Sequence, residues 1–348
     1  MSKRHAPILL ALALLAAAPL MAREPDGTLG LIRTPNNGIP ALVVPGGAFE
    51  AVLAAKAELF LARDGQEWPL AAEWSELPGG AMGARCAVPA GLAPGSHALR
   101  AKTDGKADEN LRSVWVFDAF PEEYYVVAHV SDTHIGKERY ERPSDDIIRD
   151  VIAAVNESEA ALLFITGDLT EGGDPEQFRR FLALLDTSTL PSFVCPGNHD
   201  RQALHYEQFF GPMAYRFTFG RDGYLSFDTK DFMVADELGP QDGLLHLYRR
   251  EIGPSRWSVG LTHRYEAMMG MRAQLTLFVD DPLDFILQGH THQENEPGEA
   301  VPWGTTPLYI VPAAIDGRMR LLDVTEQGVI PRPVQKVAET GPRRAGAR

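Results

Sequence analysis

Ala161-Leu162-Leu163-Phe164-Ile165-Thr166-Gly167-Asp168 and Phe193-Val194-Cys195-Pro196-Gly197-Asn198-His199-Asp200 share one layout. Each is a short apolar run suited to a strand, and each stops at a glycine followed by residues that bind metals. Working outward, an apolar run ending in metal-binding residues recurs three times, once with the glycine. Tyr124-Tyr125-Val126-Val127-Ala128-His129-Val130 leads to Asp132-Thr133-His134, Ser258-Val259-Gly260-Leu261 to His263, and Phe285-Ile286-Leu287 to Gly289-His290-Thr291-His292. The chain has ten histidines, and these blocks hold His134, His199, His263, His290 and His292.

Helical patterns separate the blocks. From Asp145 to Ser158, Ile147, Ile148, Val151, Ile152 and Val155 fall on one face, with Ser144 as the expected N-cap. Asp174-Pro175 opens a second helix with proline near its first position, and Phe178, Phe181, Leu182 and Leu185 face inward. Alternating strand and helix imply parallel pairing, with helices layered on sheet. Further strands are expected at 216–219, 224–227, 308–311 and 319–324. Ligands of such α/β sheets bind beyond the carboxyl ends of strands. All five blocks lie there, so their loops should converge on one crevice.

Residues 23–120 read differently. Ala41-Leu42-Val43-Val44 meets Pro45-Gly46-Gly47, Leu59-Phe60-Leu61 soon meets Asp64-Gly65, and Val114-Trp115-Val116-Phe117 is a clear strand. Short strands punctuated by turns predict a small β-sandwich of immunoglobulin or fibronectin type. Its single histidine, His97, is expected on a strand surface. Phe120-Pro121-Glu122-Glu123 reads as a linker, 121–336 as the catalytic domain and 337–348 as a disordered tail. At the N-terminus, Lys3 and Arg4 precede an apolar run from Ile8 to Leu20, and small residues end at Ala22. That is the order of a secretory signal peptide, and the run is shorter than the ~20 residues of a transmembrane helix. Residues 1–22 are therefore expected to direct export to the periplasm or medium, leaving no transmembrane segment in the mature chain.

Hydrophobic residues make up 45% and charged residues 23% of the 348, which suits a folded chain with a substantial core. The net charge is −14, and it grows to −16 if residues 1–22, with Lys3, Arg4 and no acid, are removed. Such a surface repels polyanions and argues against nucleic acid as a partner, while leaving room for a local basic pocket. Cys86 and Cys195 are the two cysteines. Cys195, ending an apolar strand, reads as a buried hydrophobe rather than half of a disulfide.

Taken singly the blocks say little: Gly-Asp is usually a turn, and a lone histidine is usually core or surface. Together they offer Asp132, His134, Asp168, Asn198, His263, His290 and His292, all good ligands for Mn, Fe, Co, Ni or Zn. Seven ligands exceed the needs of one small cation. Two ions sharing a carboxylate fit better, and such pairs, ~3.5–4 Å apart, clamp both oxygens of an in-line displacement. Gly167, Gly197 and Gly289 each precede a ligand, where the backbone must turn tightly.

The ordered set D-x-H, G-D, G-N-H-D, H and G-H-x-H resembles the calcineurin-like metallophosphoesterase superfamily over about residues 124–325. The resemblance implies a four-layer αββα sandwich. It implies Asp132, His134, Asp168 and His292 on one metal, and Asp168, Asn198, His263 and His290 on the other, with Asp168 bridging two divalent or trivalent ions (Mn, Fe or Zn). It implies that His199 protonates the leaving group and that Asp200 orients His199. The expected reaction is hydrolysis of a small phosphomonoester or phosphodiester by a water acidified between the ions.

Departures narrow the branch. Purple acid phosphatases carry glycine at the position of His134 and tyrosine at that of Glu171. Serine/threonine phosphatases end the third block in glutamate, where this chain has Asp200. The blocks look most similar to the bacterial cyclic-nucleotide-phosphodiesterase-type group. Arg264 follows His263 and is either a substrate-phosphate ligand or a solvated residue. His129 reads as a core histidine, His205 and His246 as structural, Asp228 as a turn cap, and Trp257 and Trp303 as core or pocket wall. Two other functions fit the same residues: a nuclease, which the acidic balance opposes, and a metal-binding scaffold without turnover. Neither the substrate nor the oligomeric state is written in the sequence.

Overall fold

Nine strands come first: β1 Ile32–Thr34, β2 Ala41–Val43, β3 Ala48–Leu53, β4 Glu58–Arg63, β5 Gln66–Pro69, β6 Ala71–Glu76, β7 Met82–Ala87, β8 Gly95–Thr103 and β9 Lys106–Val116. This is a computed structural model, and it describes residues 26–228, 242–265, 276–302 and 304–337. The expected signal peptide at 1–22, the tail beyond 337, Trp303 and residues 266–275 lie outside the described residues. The nine strands form two sheets, β1-β3-β7-β6 and β2-β9-β8-β4-β5, antiparallel except for the β2–β9 pair. Alternate residues such as Phe49, Ala51 and Leu53 of one sheet meet Leu59, Leu61, Leu99 and Val114 of the other in one buried core.

His97 departs from its expected surface position. It is buried, its Nδ1 lies 3.1 Å from the Gly95 carbonyl, and its ring packs edge-on against Trp68. A bulge in the β8–β9 register between His97 and Leu99 accompanies the inward turn.

The remaining elements are β10 Tyr125–Val130, β11 Glu138–Arg139, β12 Arg142–Pro143, α1 Ser144–Glu157, β13 Leu162–Thr166, α2 Pro175–Leu185, β14 Ser192–Cys195, α3 His205–Phe210, β15 Tyr215–Phe219 and β16 Asp222–Ser226. They continue with α4 Asp242–Ile252, β17 Ser258–Leu261, β18 Phe285–Gln288, β19 Leu308–Ile310, β20 Arg318–Thr325, β21 Gly328–Pro331 and β22 Gln335–Lys336. Two mixed sheets result, β14-β13-β10-β20-β21 with β22 also on β20, and β15-β16-β17-β18-β19. The pairs β10–β13–β14 and β16–β17–β18–β19 are parallel.

Strand alternation sorts the layers. Val126, Ala128 and Val130 point to the helices, where Ile147, Ile148 and Val151 of α1 and Phe178 and Phe181 of α2 cover them. Tyr125 and Val127 point the other way, against Tyr224, Val259 and Leu261 of the second sheet. Leu225 and Ile286 on that sheet's far face meet Leu245 and Ile252 of α4. The order is helix, sheet, sheet, helix, and strands buried on both faces explain the unbroken apolar runs. Each fully buried Ile or Phe contributes about 1.5–3 kcal/mol.

Ser144 does not cap α1. Pro143 holds the cap position, and Ser144 lies inside the helix, where its hydroxyl accepts the Gly136 N–H at 3.2 Å. Asp145 and Asp146 in the first turn supply the favourable charge instead. The expected linker is packed rather than free: Phe120 and Phe117 both lie against Phe219 of β15. The two cysteines are separate, buried thiols. Among the described residues no helix is long and apolar enough to cross a membrane.

Candidate metal centre

The five blocks follow the carboxyl ends of β10, β13, β14, β17 and β18, and the loops do meet. Beyond β10 and β13 the parallel pairing continues as a backbone ladder, with Asp132 N–H on Gly167 O and His134 N–H on Asp168 O, both at 3.0 Å. The ladder is bent by left-handed residues. Asp132, His134, Asp168, His290 and His292 all have positive φ, between 45° and 74°. Five of the seven candidate ligands thus occupy a region that non-glycine residues rarely enter, a form of strain that collects at functional sites.

The preceding glycines allow the loops to close. A Cβ at Gly197 would stand 2.1 Å from Asp168, and one at Gly289 would stand 1.8 Å from the Ser131 hydroxyl. At these distances only hydrogen fits.

The donor atoms gather around the two aspartates. Asp132 Oδ1 lies 3.3 Å from His292 Nε2 and 3.8 Å from His134 Nε2. Asp168 Oδ2 lies 3.1 Å from His263 Nε2 and 3.8 Å from His134 Nε2. The groups Asp132–His134–His292 and Asp168–His263–His290 each place their ligand atoms within 4.8 Å of one another. The histidine tautomers suit this geometry. His263 Nδ1 lies 2.8 Å from the Thr166 carbonyl, which can only accept, so Nε2 carries the lone pair. His134 Nδ1 lies 2.7 Å from Glu171 Oε2, with the same consequence.

Three buried atoms here make no hydrogen bond: Asp132 Oδ1, Asn198 Oδ1 and His263 Nε2. Buried polar groups are normally satisfied, and three unsatisfied lone-pair atoms on one cluster fit cations. Burial alone would raise the Asp168 carboxyl, but the adjacent His263 ring and the His199 N–H hold it well below the usual carboxylate range. Asp132 behaves alike: the adjacent His292 and His263 rings outweigh burial, and it too is lowered. Both stay anionic, as metal binding would require.

His199 sits at the rim. Its N–H donates to Asp168 Oδ1 at 2.9 Å, its Nδ1 meets the Glu171 carbonyl at 2.6 Å, and its half-buried ring leaves Nε2 4.0 Å from Asp168 Oδ2. It also forms a possible ligand group with His134 and Asp168.

Asp200 does not orient His199. Its carboxylate accepts the N–H groups of Leu169, Thr170 and Gly197 and the Thr170 hydroxyl, at 2.8–3.0 Å. It ties the loop after β13 to the loop after β14. Burial and the Asp168 charge push it up to about 6, against the pull of those N–H donors. Asp200→Ala would leave three buried N–H groups unpaired, so a stability loss of about 3 kcal/mol or more is expected from urea titration. A loss under about 1 kcal/mol would contradict the tie.

Other expectations resolve one by one. His129 is fully buried, with Nε2 2.9 Å from the Thr166 hydroxyl, and burial pushes it down to about 3. Asp228 is no turn cap but the buried ion-pair partner of Arg201. Trp257 donates to Thr325 O and packs on Phe285, away from the site. His205 Nδ1 meets the Gly173 carbonyl, a structural contact. Arg264 directly follows His263, and burial chiefly, with the nearby Arg264 charge adding to it, lowers His290. Glu171 was missed as a functional residue. It holds His134 with its side chain and His199 with its carbonyl, and its place three residues after Asp168 was the available signal.

Residues 125–294 match the calcineurin-like phosphoesterase family model. A probable cyclic nucleotide phosphodiesterase of Coxiella burnetii is 30% identical over 124 residues, which is 34% of this chain and 48% of that protein. A probable cyclic nucleotide phosphodiesterase of Vesicomyosocius okutanii is 25% identical over 122 residues, 33% of this chain and 52% of that one. The chain thus spans about half the length of these relatives. Among solved structures, the purple acid phosphatase PPD1 of yellow lupin is 12% identical with a TM-score of 0.47, covering 82% of this chain and 71% of that one.

Proposed function

We propose that residues 125–294, a calcineurin-like phosphoesterase domain, hydrolyse a small phosphomonoester or phosphodiester with two transition-metal ions. The observation that carries this reading is the set of three buried atoms that make no hydrogen bond, Asp132 Oδ1, Asn198 Oδ1 and His263 Nε2, on the loops that meet at Asp168. Asp132, His134 and His292 would hold one ion, and Asn198, His263 and His290 the other, with Asp168 shared. Mn, Fe and Zn suit this mixture of imidazole and carboxylate. Bound ions would supply an acidified water as nucleophile and positive charge for the phosphoryl oxygens.

The chain's own residues do the rest. Glu171 fixes His134 in its ligand tautomer. The Glu171 carbonyl occupies Nδ1 of His199, so Nε2 is the atom that hands a proton to the departing alkoxide. The relatives' names favour a diester, including a cyclic nucleotide, as the first substrate class to try.

The purified chain is expected to turn over bis- and mono-nitrophenyl phosphate with Mn²⁺, to lose that turnover with a chelator and to regain it on metal addition. Failure on both esters with metal bound would favour a scaffold without turnover. The same reading takes 23–120 as a β-sandwich domain, supported by its own two-sheet core, and 1–22 as an export signal, supported by its charge and apolar pattern. Cell fractionation and the mass of the mature N-terminus test the latter.

A further inference from the structure

The chain carries −14 overall, yet one wall of the candidate centre is locally basic. Next to His292 opens a cavity of about 430 Å³ bordered by Tyr140, Glu294, Asp316, Arg318 and Lys336. This lies within the ~300–1,000 Å³ of small-ligand pockets. Both carboxylates are engaged: Asp316 takes Arg139 Nε at 2.8 Å, and Glu294 takes Arg320. Arg318 and Lys336 face each other across the antiparallel β20–β22 pair, both exposed. Neither has an ion-pair partner among the described residues. Four cations against two carboxylates leave positive charge uncompensated beside a centre that binds phosphate, and a concave site focuses such a field.

The opposite wall has its own peculiarity. Tyr140 and Glu141 form the two-residue turn of the β11–β12 hairpin, with φ of 54° and 58°. Turns with both residues left-handed normally use Asn and Gly. Here the strained turn holds a tyrosine ring half exposed at the cavity, with the Arg139 guanidinium 4.6 Å from its centroid.

We propose that this cavity is a second anion subsite. It takes a further phosphate group, carried on the organic substituent of the ester held at the metal centre. Arg318 and Lys336 bind that phosphate, and Tyr140 meets the planar part of the substituent. The substrate class is then a phosphorylated nucleoside or dinucleotide rather than a simple alkyl diester. The inference rests on the phosphoesterase reading above.

Calorimetric affinities of the metal-loaded full chain for adenosine 3′,5′-bisphosphate and adenosine 5′-monophosphate test it. The wild type is expected to prefer the bisphosphate by about tenfold, the strength of two charge-assisted contacts at a surface. Arg318→Ala/Lys336→Ala should erase most of that preference. Tyr140→Ala should weaken both ligands alike, since both carry the ring. No bisphosphate preference in the wild type, or the same preference in the double variant, overturns the subsite. Turnover of bis-nitrophenyl phosphate is measured alongside. Preference without turnover supports the subsite and sinks the catalytic reading, whereas turnover without preference sinks the subsite alone.

Discussion

Asp168→Ala is expected to lower kcat on bis-nitrophenyl phosphate by more than ~10³-fold, beyond the cost of losing one positioned donor. It should also bring bound metal below the two ions per chain expected of the wild type, by elemental analysis. The size of the effect follows from position. Asp168 Oδ2 lies 3.1 Å from His263 Nε2 and 3.8 Å from His134 Nε2, so it faces a member of each candidate ligand group. Its Oδ1 also fixes the loop after β14 through the His199 N–H. On the proposed two-ion reading, losing it would remove a shared ligand and loosen a third loop. Asp168→Asn keeps the size and one oxygen but drops the charge, so it should retain more fold stability than alanine and little more turnover. A variant with two ions and near wild-type turnover would rule out the bridging role.

The alternation of apolar runs and polar blocks was legible because it has a direct physical cause. Strands buried on both faces must be apolar throughout, so the first polar residues mark the place where the chain leaves the sheet. For β10, β13, β14, β17 and β18 that place is also the rim of the candidate site, so the residues that converge there could be picked out without any contact information. The same reasoning sorted α1 and α2 by their buried faces.

What escaped depends on directions that spacing does not encode. Asp200 adjoins His199 in sequence, which suggested a pair. A single 3-10 turn over Asn198–Asp200 instead sends Asp200 into the protein and His199 to the rim. Glu171 acts partly through its backbone carbonyl, which any residue type supplies, so no side-chain pattern revealed that half of its role. His97 was read from polarity alone, and the bulge that buries it has no signature in a strand of small and polar residues. The left-handed ligands were invisible for a further reason. Asp and His tolerate that region better than branched residues, so the sequence permits the conformation without requiring it.

The rim position of His199 leads to the second large effect. His199→Ala should cost ~10²–10⁴ in kcat on alkyl phosphate esters, the usual worth of a positioned proton donor. Nitrophenyl esters should lose less than about tenfold, because nitrophenolate leaves without protonation. Metal content separates this from loss of a ligand. His199 Nε2 stands 4.0 Å from Asp168 Oδ2, and its Nδ1 is committed to the Glu171 carbonyl. Removing the ring should therefore leave both ions bound, whereas His263→Ala should not. Equal losses on both ester types, with metal retained, would end the proton-donor assignment. Equal losses with metal depleted would make His199 a ligand and add it to the group it already forms with His134 and Asp168.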